Sequence, residues 1–440
     1  MLVTSPARCM LEAGGMEAPD PHLHHRGVAL AMLDPPQVGR RFVTLYALSY
    51  AGGSLLLLGP LLVSLALKVN DLVGIDDAPK NLALVTGVGS LLAIVSNPLF
   101  GRLSDRTSSR LGMRRPWMIV GVAGGALGTL TVALAPNIGV VLVGWCMAQV
   151  FLNALLAAQA AVLPDQVPTV QRGRVSGILG VCLPVASVAA TYLVQAFEGS
   201  RLMTFLAPLL VGCVLVGIFT SSLQDRRLDS ADKPPWSLKQ LAGTFYVNPR
   251  ANPDFAWAFT SRFMLIVAYA FLVTYQAYFL IDELGVVVAD VAHQIYLGTL
   301  VQSTALIIAS PITGQLSDRL QRRKVFVMAA AVIYAAALVI IATASGTGGY
   351  LLGMGLGGVG FGMYMAVDLA LVVDVLPDAA SAAKDLGVLN MAGALPFALA
   401  PAVAPVILAI SGNSYSVLYL VSGTCAALGA LAVLPIHRVR

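Results

Sequence analysis

Charged residues are scarce in this chain. Asp, Glu, Lys and Arg make up 11% of its 440 residues, whereas 58% of the residues are hydrophobic, and the mean hydropathy is +0.81. A soluble domain of this length could not bury so much apolar surface. The composition therefore excludes an ordinary soluble protein and predicts an integral membrane protein that is embedded in the lipid bilayer.

Cysteine is also rare, and its spacing indicates no metal site. Of the five cysteines, four lie inside long apolar runs, and none forms a CxxC pair. We therefore expect no disulfide, no metal and no cofactor. The chain also has no GxxxxGK[ST] loop, which excludes hydrolysis of ATP by a loop of this type.

Patterns for catalysis and for nucleic-acid binding are missing as well. One acid well inside the apolar runs, together with His293 near a run's end, cannot supply a Ser-His-Asp set or a carboxylate pair, so we do not expect an enzyme. The net charge is +5, but the basic residues fall in short clusters without interleaved aromatic residues. These clusters indicate membrane topology, and we expect no nucleic-acid partner.

One glycine-rich segment imitates a nucleotide-binding motif. Residues 355–360 match the letters of the dinucleotide fingerprint GxGxxG. That fingerprint requires a preceding strand in a soluble βαβ unit, whereas this segment lies inside an apolar run. Small residues in such a run allow helices to pack closely, so we interpret the segment as a packing surface.

Twelve apolar runs approach the length of about 20 residues that a helix needs to cross a bilayer. We number these predicted spans 1 to 12 in chain order: 42–67, 81–100, 117–135, 138–163, 175–197, 202–222, 255–281, 291–313, 325–344, 349–375, 386–410 and 414–435. An even number places both termini on one side. Of the 27 Lys and Arg residues, only Lys68, Lys80 and Arg201 fall on the other side. The positive-inside rule then predicts two cytoplasmic termini and a location in the cytoplasmic membrane.

The two halves of the chain repeat each other. Asp105 and Asp318 are 213 positions apart, and the tetrapeptide Val-Leu-Pro-Asp that ends at Asp165 recurs at the same offset, ending at Asp378. A duplicated membrane unit explains both repeats. The predicted organisation is a disordered cytoplasmic tail (1–40), an N-terminal six-helix bundle (41–222), a cytoplasmic linker (223–254) and a C-terminal six-helix bundle (255–440).

The segment between spans 2 and 3 has the sequence GRLSDRTSSRLGMRRP over residues 101–116. This Gly-x-x-x-Asp-Arg hairpin, its repeat after span 8, the two sets of six spans and the long central linker resemble the major facilitator superfamily of secondary transporters over residues 42–436. The finer pattern is similar to that of the sucrose/proton symporters and the glycoside–pentoside–hexuronide cation symporters. The resemblance implies an all-α fold of twelve transmembrane helices in two pseudo-symmetric bundles. We expect a monomer.

The sequence departs from those two groups inside the spans. The cation symporters carry Asp-x-x-x-Asp-Pro on span 2, where this chain has Ala93, Asn97 and Pro98, and span 4 lacks the Arg and Asp of plant-type sucrose carriers. We expect a secondary active transporter of a small polar or amphipathic solute that works by alternating access. The more specific expectation is symport of a sugar or glycoside together with protons. A drug or metabolite exporter is the alternative, and a non-transporting membrane sensor is a more remote one.

The hairpin residues are candidates for gating. A helix N-terminus stabilises a carboxylate, and the resemblance places Asp105 against the start of span 11 and Asp318 against the start of span 5. Such contacts would hold the outward-open state and break as the cytoplasmic side opens. The alternative is a solvated turn that only orients the helices. The gating set comprises Gly101, Asp105, Arg106, Arg110, Gly314, Asp318, Arg319, Arg172, Arg174 and Lys384.

Asp368 is the one acid well inside a predicted span, where an unpaired carboxylate is costly. Arg262 lies 7 residues from the cytoplasmic start of span 7, and Asp368 lies 7 residues from the cytoplasmic end of span 10. At 1.5 Å per residue both lie about 10 Å deep, so they can pair. We expect Asp368 to take up a proton when Arg262 is withdrawn and to release it when Arg262 returns, which would couple protons to transport. A fixed structural ion pair is the alternative.

Two polar pairs are candidates for binding the solute. Gln149 and Asn153 on span 4, and Tyr364 and Asp368 on span 10, are each four residues apart and therefore share a helix face. Uncharged amides and phenols suit a hydroxyl-rich or weakly polar ligand better than a strongly anionic one.

Overall fold

A computed structural model describes residues 37–225, 249–250, 252–375, 388–389 and 391–436. Most of the predicted tail and linker lie outside these residues, as do Lys384 and Asp378. The side chain of Asp318 also lies outside the described part, although its backbone belongs to a helix.

The described residues form twelve helices that are long and apolar enough to cross a membrane, and they contain no strand. This confirms the predicted all-α fold with twelve transmembrane helices. We number the helices in chain order: α1 (Arg40–Val73), α2 (Ala78–Asp105), α3 (Arg115–Leu134), α4 (Ile138–Gln166), α5 (Thr169–Ala196), α6 (Arg201–Ser222), α7 (Pro253–Asp282), α8 (Val291–Leu320), α9 (Arg323–Ala342), α10 (Thr347–Val375), α11 (Pro396–Ile410) and α12 (Tyr415–Ala432).

Several helices extend beyond the apolar runs that predicted them. Helix α1 continues to Val73 and α2 to Asp105, although the corresponding runs end at residues 67 and 100. Helical hydrogen bonds do not require apolar side chains, so a helix can continue past the bilayer core. Lys68 illustrates this, because its ammonium group donates a hydrogen bond of 3.1 Å to the carbonyl oxygen of Ala133.

Polar side chains mark the starts of three helices. The side chains of Asn137, Ser200 and Ser414 accept hydrogen bonds from backbone N–H groups in the first turns of α4, α6 and α12. These contacts satisfy donors that have no partner within the helix. They fix where α4, α6 and α12 begin after short connections.

We call the side of the protein that carries residues 106–114 the hairpin side. On the opposite side, the ends of α1 and α7 meet across the two halves. Gln276 donates a hydrogen bond of 3.3 Å to the carbonyl oxygen of Leu62, and the Tyr278 hydroxyl donates one of 3.1 Å to the carbonyl oxygen of Ala66. Helix α1 is π-helical over Pro60–Ser64, so the acceptor of Gln276 lies in a local irregularity of the helix. These bonds close the two halves together on that side.

Two further helix pairs connect the halves. Helix α2 packs against α11, and α5 packs against α8. Near the opposite side, the rings of Tyr192 and Tyr296 contact each other with centroids 5.6 Å apart. The two bundles are therefore joined by helices 1, 2 and 5 from one half and 7, 8 and 11 from the other.

The glycine-rich segment 355–360 is a packing surface, as expected. A Cβ added at Gly358 would overlap the backbone carbonyl of Gln302 on α8, and one added at Gly360 would lie 2.8 Å from the backbone nitrogen of Tyr334 on α9. Helix α10 therefore packs backbone to backbone against both neighbours at this level.

Candidate functional site

The candidate site follows one face of α7 and one face of α10. Arg262, Tyr269 and Gln276 on α7 are each 7 residues apart, as are Met354, Phe361 and Asp368 on α10. Seven residues are close to two helical turns, so each set forms a stripe along its helix.

The two helices run in opposite directions, and the stripes meet level by level. Arg262 pairs with Asp368 nearest the hairpin side. About 10 Å further along the helices, Tyr269 stacks on Phe361 with ring centroids 4.6 Å apart. Gln276 and Met354 both line the cavity at the third level. We call this arrangement the α7–α10 ladder.

The lowest level of the ladder is a buried ion pair. Arg262 Nη1 lies 2.7 Å from Asp368 Oδ2, and the side chains are 18% and 5% exposed, respectively. The Tyr364 hydroxyl donates a hydrogen bond of 2.6 Å to Asp368 Oδ1. Both carboxylate oxygens therefore have a donor, which is what a buried charge requires. The predicted partners are brought together, and Tyr364 contacts the carboxylate.

The guanidinium of Arg262 is less completely satisfied than the carboxylate. Its Nε is buried and has no hydrogen-bond partner within the described residues. Gly393, between α10 and α11, lies beside it: a Cβ added there would be 3.9 Å from Arg262 Nη2. Glycine leaves space next to the guanidinium, and Arg262 is also the more exposed partner of the pair. Arg262 is therefore better placed to move than Asp368.

The second and third levels of the ladder open onto a central cavity between the halves. Its described lining contains no charged side chain. The lining residues come from α1, α5, α7, α8 and α10: Leu62, Leu183, Pro184, Ser187, Tyr269, Leu272, Val273, Gln276, Thr299, Gln302, Ser303, Leu306, Met354 and Phe361.

Two glutamines supply amide groups to this cavity, and they differ in their partners. Gln276 is fully engaged across the cavity wall, because it donates to the Leu62 carbonyl and accepts a hydrogen bond of 3.4 Å from the Tyr350 hydroxyl. Gln302 is 8% exposed, and its Nε2 is buried without a partner in the described part of the chain. Unsatisfied buried donors are uncommon in native structures.

The amides predicted on α4 lie elsewhere in the N-terminal half. Asn153 Nδ2 donates hydrogen bonds to the Gln149 carbonyl at 2.8 Å and to Gln149 Oε1 at 3.2 Å. Asn97 of α2 donates a longer bond of 3.4 Å to Asn153 Oδ1. Gln149 and Asn153 are buried at the α2–α4 interface and are not among the described residues that line the central cavity. Their contact with the solute stays a prediction.

A separate ionic network lies on the hairpin side. Arg114 is buried, and its guanidinium binds Asp105 and Asp165 at 2.7 Å each. The backbone N–H groups of Arg114 and Arg115 donate to the carboxylate of Asp225, which follows α6. Burial alone would lower the pKa of the Arg114 guanidinium, but the hydrogen bonds and charges of Asp165 and Asp105 outweigh it, so the pKa is raised. Arg114 therefore holds a permanent positive charge that ties α2, α3 and α4 together.

Gly112 allows the hairpin to close around this network. Its φ is +104°, a conformation that favours glycine, and a Cβ there would overlap the side chain of Asp225. The sequence pattern of residues 101–116 contained both Arg114 and Gly112, but it gave no indication of which arginine would be buried. Arg114 was therefore missed as the centre of the hairpin.

The other predicted gating residues have weaker surroundings. Arg172 is held in its own half, because it donates to the carbonyl oxygens of Val167 and Pro164 at the end of α4. Among the described residues, a Cβ added at Gly101 meets nothing within 4 Å, and one at Gly314 meets only Ala366, at 3.9 Å. Of the remaining predicted gating residues, Arg106 is partly buried. The other three are exposed: Arg110, Arg174 and Arg319.

Comparison with known proteins agrees with this architecture. The family model described as Major Facilitator Superfamily matches residues 42–302 and 283–440. The sequence has no match among curated proteins.

The fold is similar to that of two solved transporters. The nucleoside transporter NupG superposes with a TM-score of 0.70 at 15% identity, over 91% of this chain and 100% of that one. The human organic anion transporter MFSD10 (TETRAN) superposes with a TM-score of 0.64 at 17% identity, over 90% of this chain and 99% of that one. Family and fold are those of solute transporters rather than enzymes. The chain belongs to the major facilitator superfamily.

Proposed function

We propose that this protein is a proton-coupled secondary transporter of a neutral, hydroxyl-bearing solute, with sugars and glycosides as the expected class. The observation that carries the proposal is the buried pair of Arg262 and Asp368, placed on the same helix faces as the side chains that line an uncharged cavity. A buried carboxylate that can lose its cationic partner has the chemistry of a proton carrier.

The proposed coupling step leaves no ionised carboxylate unpaired in the membrane. While Arg262 binds Asp368, the pair is neutral as a whole and holds no exchangeable proton. When Arg262 is withdrawn in the other conformation, Asp368 takes up one proton from water at its free oxygen and becomes a neutral acid. The return of Arg262 releases that proton to the opposite side. The hydroxyl of Tyr364 keeps Asp368 in position throughout.

The solute class follows from the cavity lining. Gln302 and several hydroxyl side chains offer hydrogen bonds, while no described lining residue carries a charge. An anionic solute would lack a cation to bind, whereas a neutral polyhydroxylated solute would find donors and acceptors. Of the two similar transporters, NupG is named for nucleosides and MFSD10 for organic anions. The uncharged lining favours a neutral solute of the first kind.

Alternating access is supported by where the halves touch. The hydrogen bonds of Gln276 and Tyr278 join the halves on the side opposite to the hairpins, while Asp105 binds Arg114 of its own half. We infer that the structure represents the state closed on the opposite side. In the other state, Asp105 and Asp318 would contact helix starts of the partner half, and the space at Gly101 and Gly314 would be filled.

The proposed orientation places the hairpin side in the cytoplasm, in line with the distribution of Lys and Arg. Single cysteines at Ser108 and Asp77, in a variant without the five native cysteines, should react with an impermeant thiol reagent from opposite faces of the membrane. Reaction of both from one face would contradict the topology.

The function itself is tested in proteoliposomes with radiolabelled neutral sugars and glycosides, with and without an imposed pH gradient. Accumulation that requires an inward proton gradient is expected. Equilibration without accumulation would indicate uniport, and accumulation driven by an outward proton gradient would indicate an exporter. Absence of any flux for the whole class would contradict the proposal and leave the sensor alternative.

A further inference from the structure

Gln302 is a polar group for which the structure provides no partner. It lines the central cavity, it is more than nine-tenths buried, and its amide Nε2 has no acceptor within the described residues. Burying an amide N–H without an acceptor is unfavourable, whereas an arriving acceptor removes that penalty. An unpaired donor on a side chain that lines a cavity can bind an acceptor of the solute when the side chain turns toward it.

The position of Gln302 is fixed by its neighbours. The backbone of Gln302 packs directly on Gly358 of α10, and the next turn of α8 contributes Ala305 to the same contact. No side chain separates the two helices here, so α8 has little freedom to shift. A donor held on rigid helices discriminates between ligands better than one on a mobile loop.

The side chains around Gln302 indicate the chemical class of the ligand. Thr299 and Ser303 lie on the same face of α8 and add two hydroxyl groups to the lining of the same cavity. Tyr269 and Phe361, which also line the cavity, stack on each other with ring centroids 4.6 Å apart. Aromatic walls favour flat apolar rings, and hydroxyl and amide groups favour a polyhydroxylated portion beside it.

We propose that Gln302 determines solute specificity, by donating its amide Nε2 to an acceptor oxygen of a neutral glycoside that carries a flat ring. The sugar hydroxyls contact Thr299 and Ser303, and the flat ring packs against Tyr269 and Phe361. This inference rests on the proposed transport function and narrows its substrate class. Nucleosides and aryl glycosides belong to this class, whereas sucrose lacks the flat ring and organic anions carry an unmatched charge.

The first test replaces Gln302 by methionine and measures the binding of tritiated uridine to the purified protein. Methionine has a similar length and no donor. If Gln302 binds the solute, Gln302→Met weakens uridine binding by roughly tenfold, within a range of about 5- to 50-fold. The thermal unfolding temperature should stay the same or rise, because the variant removes an unpaired buried donor. Unchanged uridine affinity would overturn the proposal.

Gln294→Met is the matched control. Gln294 is on the same helix, and its Oε1 is also buried without a partner in the described part, but it does not line the central cavity. The same chemical change should leave uridine binding unaltered. An equal loss of affinity in both variants would mean that the effect comes from α8 as a whole, which would also overturn the assignment.

A transport panel separates this inference from the proposed function. Proteoliposomes are tested for counterflow of uridine, 4-nitrophenyl glucoside, sucrose and salicylate. The inference predicts counterflow of the first two. Counterflow of sucrose alone would refute the flat-ring class and keep sugar transport, and counterflow of salicylate alone would refute a neutral solute. Counterflow of none would contradict the proposed function, and the inference with it.

Discussion

The same helix contact is built from opposite residues in the two halves. In the N-terminal half, Gly89 of α2 packs against Trp145 of α4: a Cβ added at Gly89 would lie 2.5 Å from the indole. At the offset of 213, the corresponding residues are Gln302 of α8 and Gly358 of α10. The large residue and the glycine have exchanged helices.

This exchange changes what each half presents to the cavity. Trp145 is buried inside the N-terminal bundle, whereas Gln302 lines the cavity. A duplicated scaffold can therefore keep its helix packing while one half becomes a filled interior and the other a binding wall. If the central cavity binds the solute as proposed, most of its contacts come from the C-terminal half, which supplies ten of the fourteen described lining residues.

The ion pair follows the same division. The positions equivalent to Arg262 and Asp368 are Ser49 and Leu155. Ser49 is buried, and its hydroxyl accepts a hydrogen bond of 2.8 Å from Gln159, so the N-terminal half uses neutral groups at this level. Of the two equivalent levels, only the one in the C-terminal half carries charged side chains that could respond to protons.

The largest expected difference between the two halves comes from removing one charge of the pair. Arg262→Met leaves Asp368 buried without its cation, which should lower the free energy of unfolding by about 3 to 5 kcal/mol. The equivalent Ser49→Ala removes one neutral hydrogen bond and should cost about 1 kcal/mol. Thermal unfolding in detergent and the yield of monodisperse protein measure both.

A double variant separates charge from packing. Arg262→Met combined with Asp368→Leu restores an uncharged interior and should recover most of the lost stability, while transport driven by a pH gradient remains absent. If Arg262→Met alone were as stable as the parent protein, the pair would not be a buried charge pair of the kind described.

The next largest effect concerns the exchanged glycines. Gly358→Ala places a Cβ against a backbone carbonyl, which cannot move aside, whereas Gly89→Ala meets a side chain that can rotate. Overpacking of this kind costs about 1 to 3 kcal/mol, and we expect Gly358→Ala to be the more damaging and to weaken solute binding as well. Unfolding temperatures and binding assays compare them.

Gly357→Ala is the control for the glycine series, because the nearest atoms to its added Cβ lie 3.6 Å away, at ordinary contact distance. It should be close to neutral in both assays. Equal losses of stability and solute binding in Gly357→Ala and Gly358→Ala would mean that any added side chain disturbs α10. The exchange of glycine between the halves would then have no specific role in the site.

The smallest effect on stability is expected at the hairpin. The side chain of Asp105 is 51% exposed, and Arg114 keeps its second partner Asp165 when Asp105 is neutralised. Asp105→Asn should therefore reduce stability by no more than about 1 kcal/mol, with near-normal membrane expression. It should still reduce transport, because the alternative state loses the proposed contact of Asp105 with the other half. Initial uptake rates and expression levels are compared with the parent protein. Full transport by both Asp105→Asn and Asp318→Asn would leave the hairpin aspartates without a gating role.

Much of the fold could be predicted from the sequence, because the length of each apolar run depends on local composition and indicates one membrane-spanning helix. The pairing of Arg262 with Asp368 was also predictable, since a lone carboxylate in a membrane needs a cation at the same depth. The neighbour that each helix face contacts could not be predicted. Gln149 and Asn153 share a face as predicted, but only packing decides that this face meets α2.

Gln302 could not be selected from the sequence either. It was one of many polar residues inside the spans, and its importance depends on an unpaired amide that only three-dimensional contacts reveal. The spacing of seven residues on α7 and α10 was present in the sequence. That the two stripes contact each other is visible only in the structure, where the antiparallel helices align Arg262 with Asp368 and Tyr269 with Phe361.

The measurement that tests the central claim most directly compares two transport modes of Asp368→Asn in proteoliposomes. Asparagine keeps the size and polarity of the side chain but cannot exchange a proton, so accumulation driven by a pH gradient should be abolished while counterflow at equal pH on both sides continues. Accumulation against the solute gradient by this variant would contradict Asp368 as the coupling group. Loss of both modes would contradict it as well, since Asp368 would then be a structural partner of Arg262.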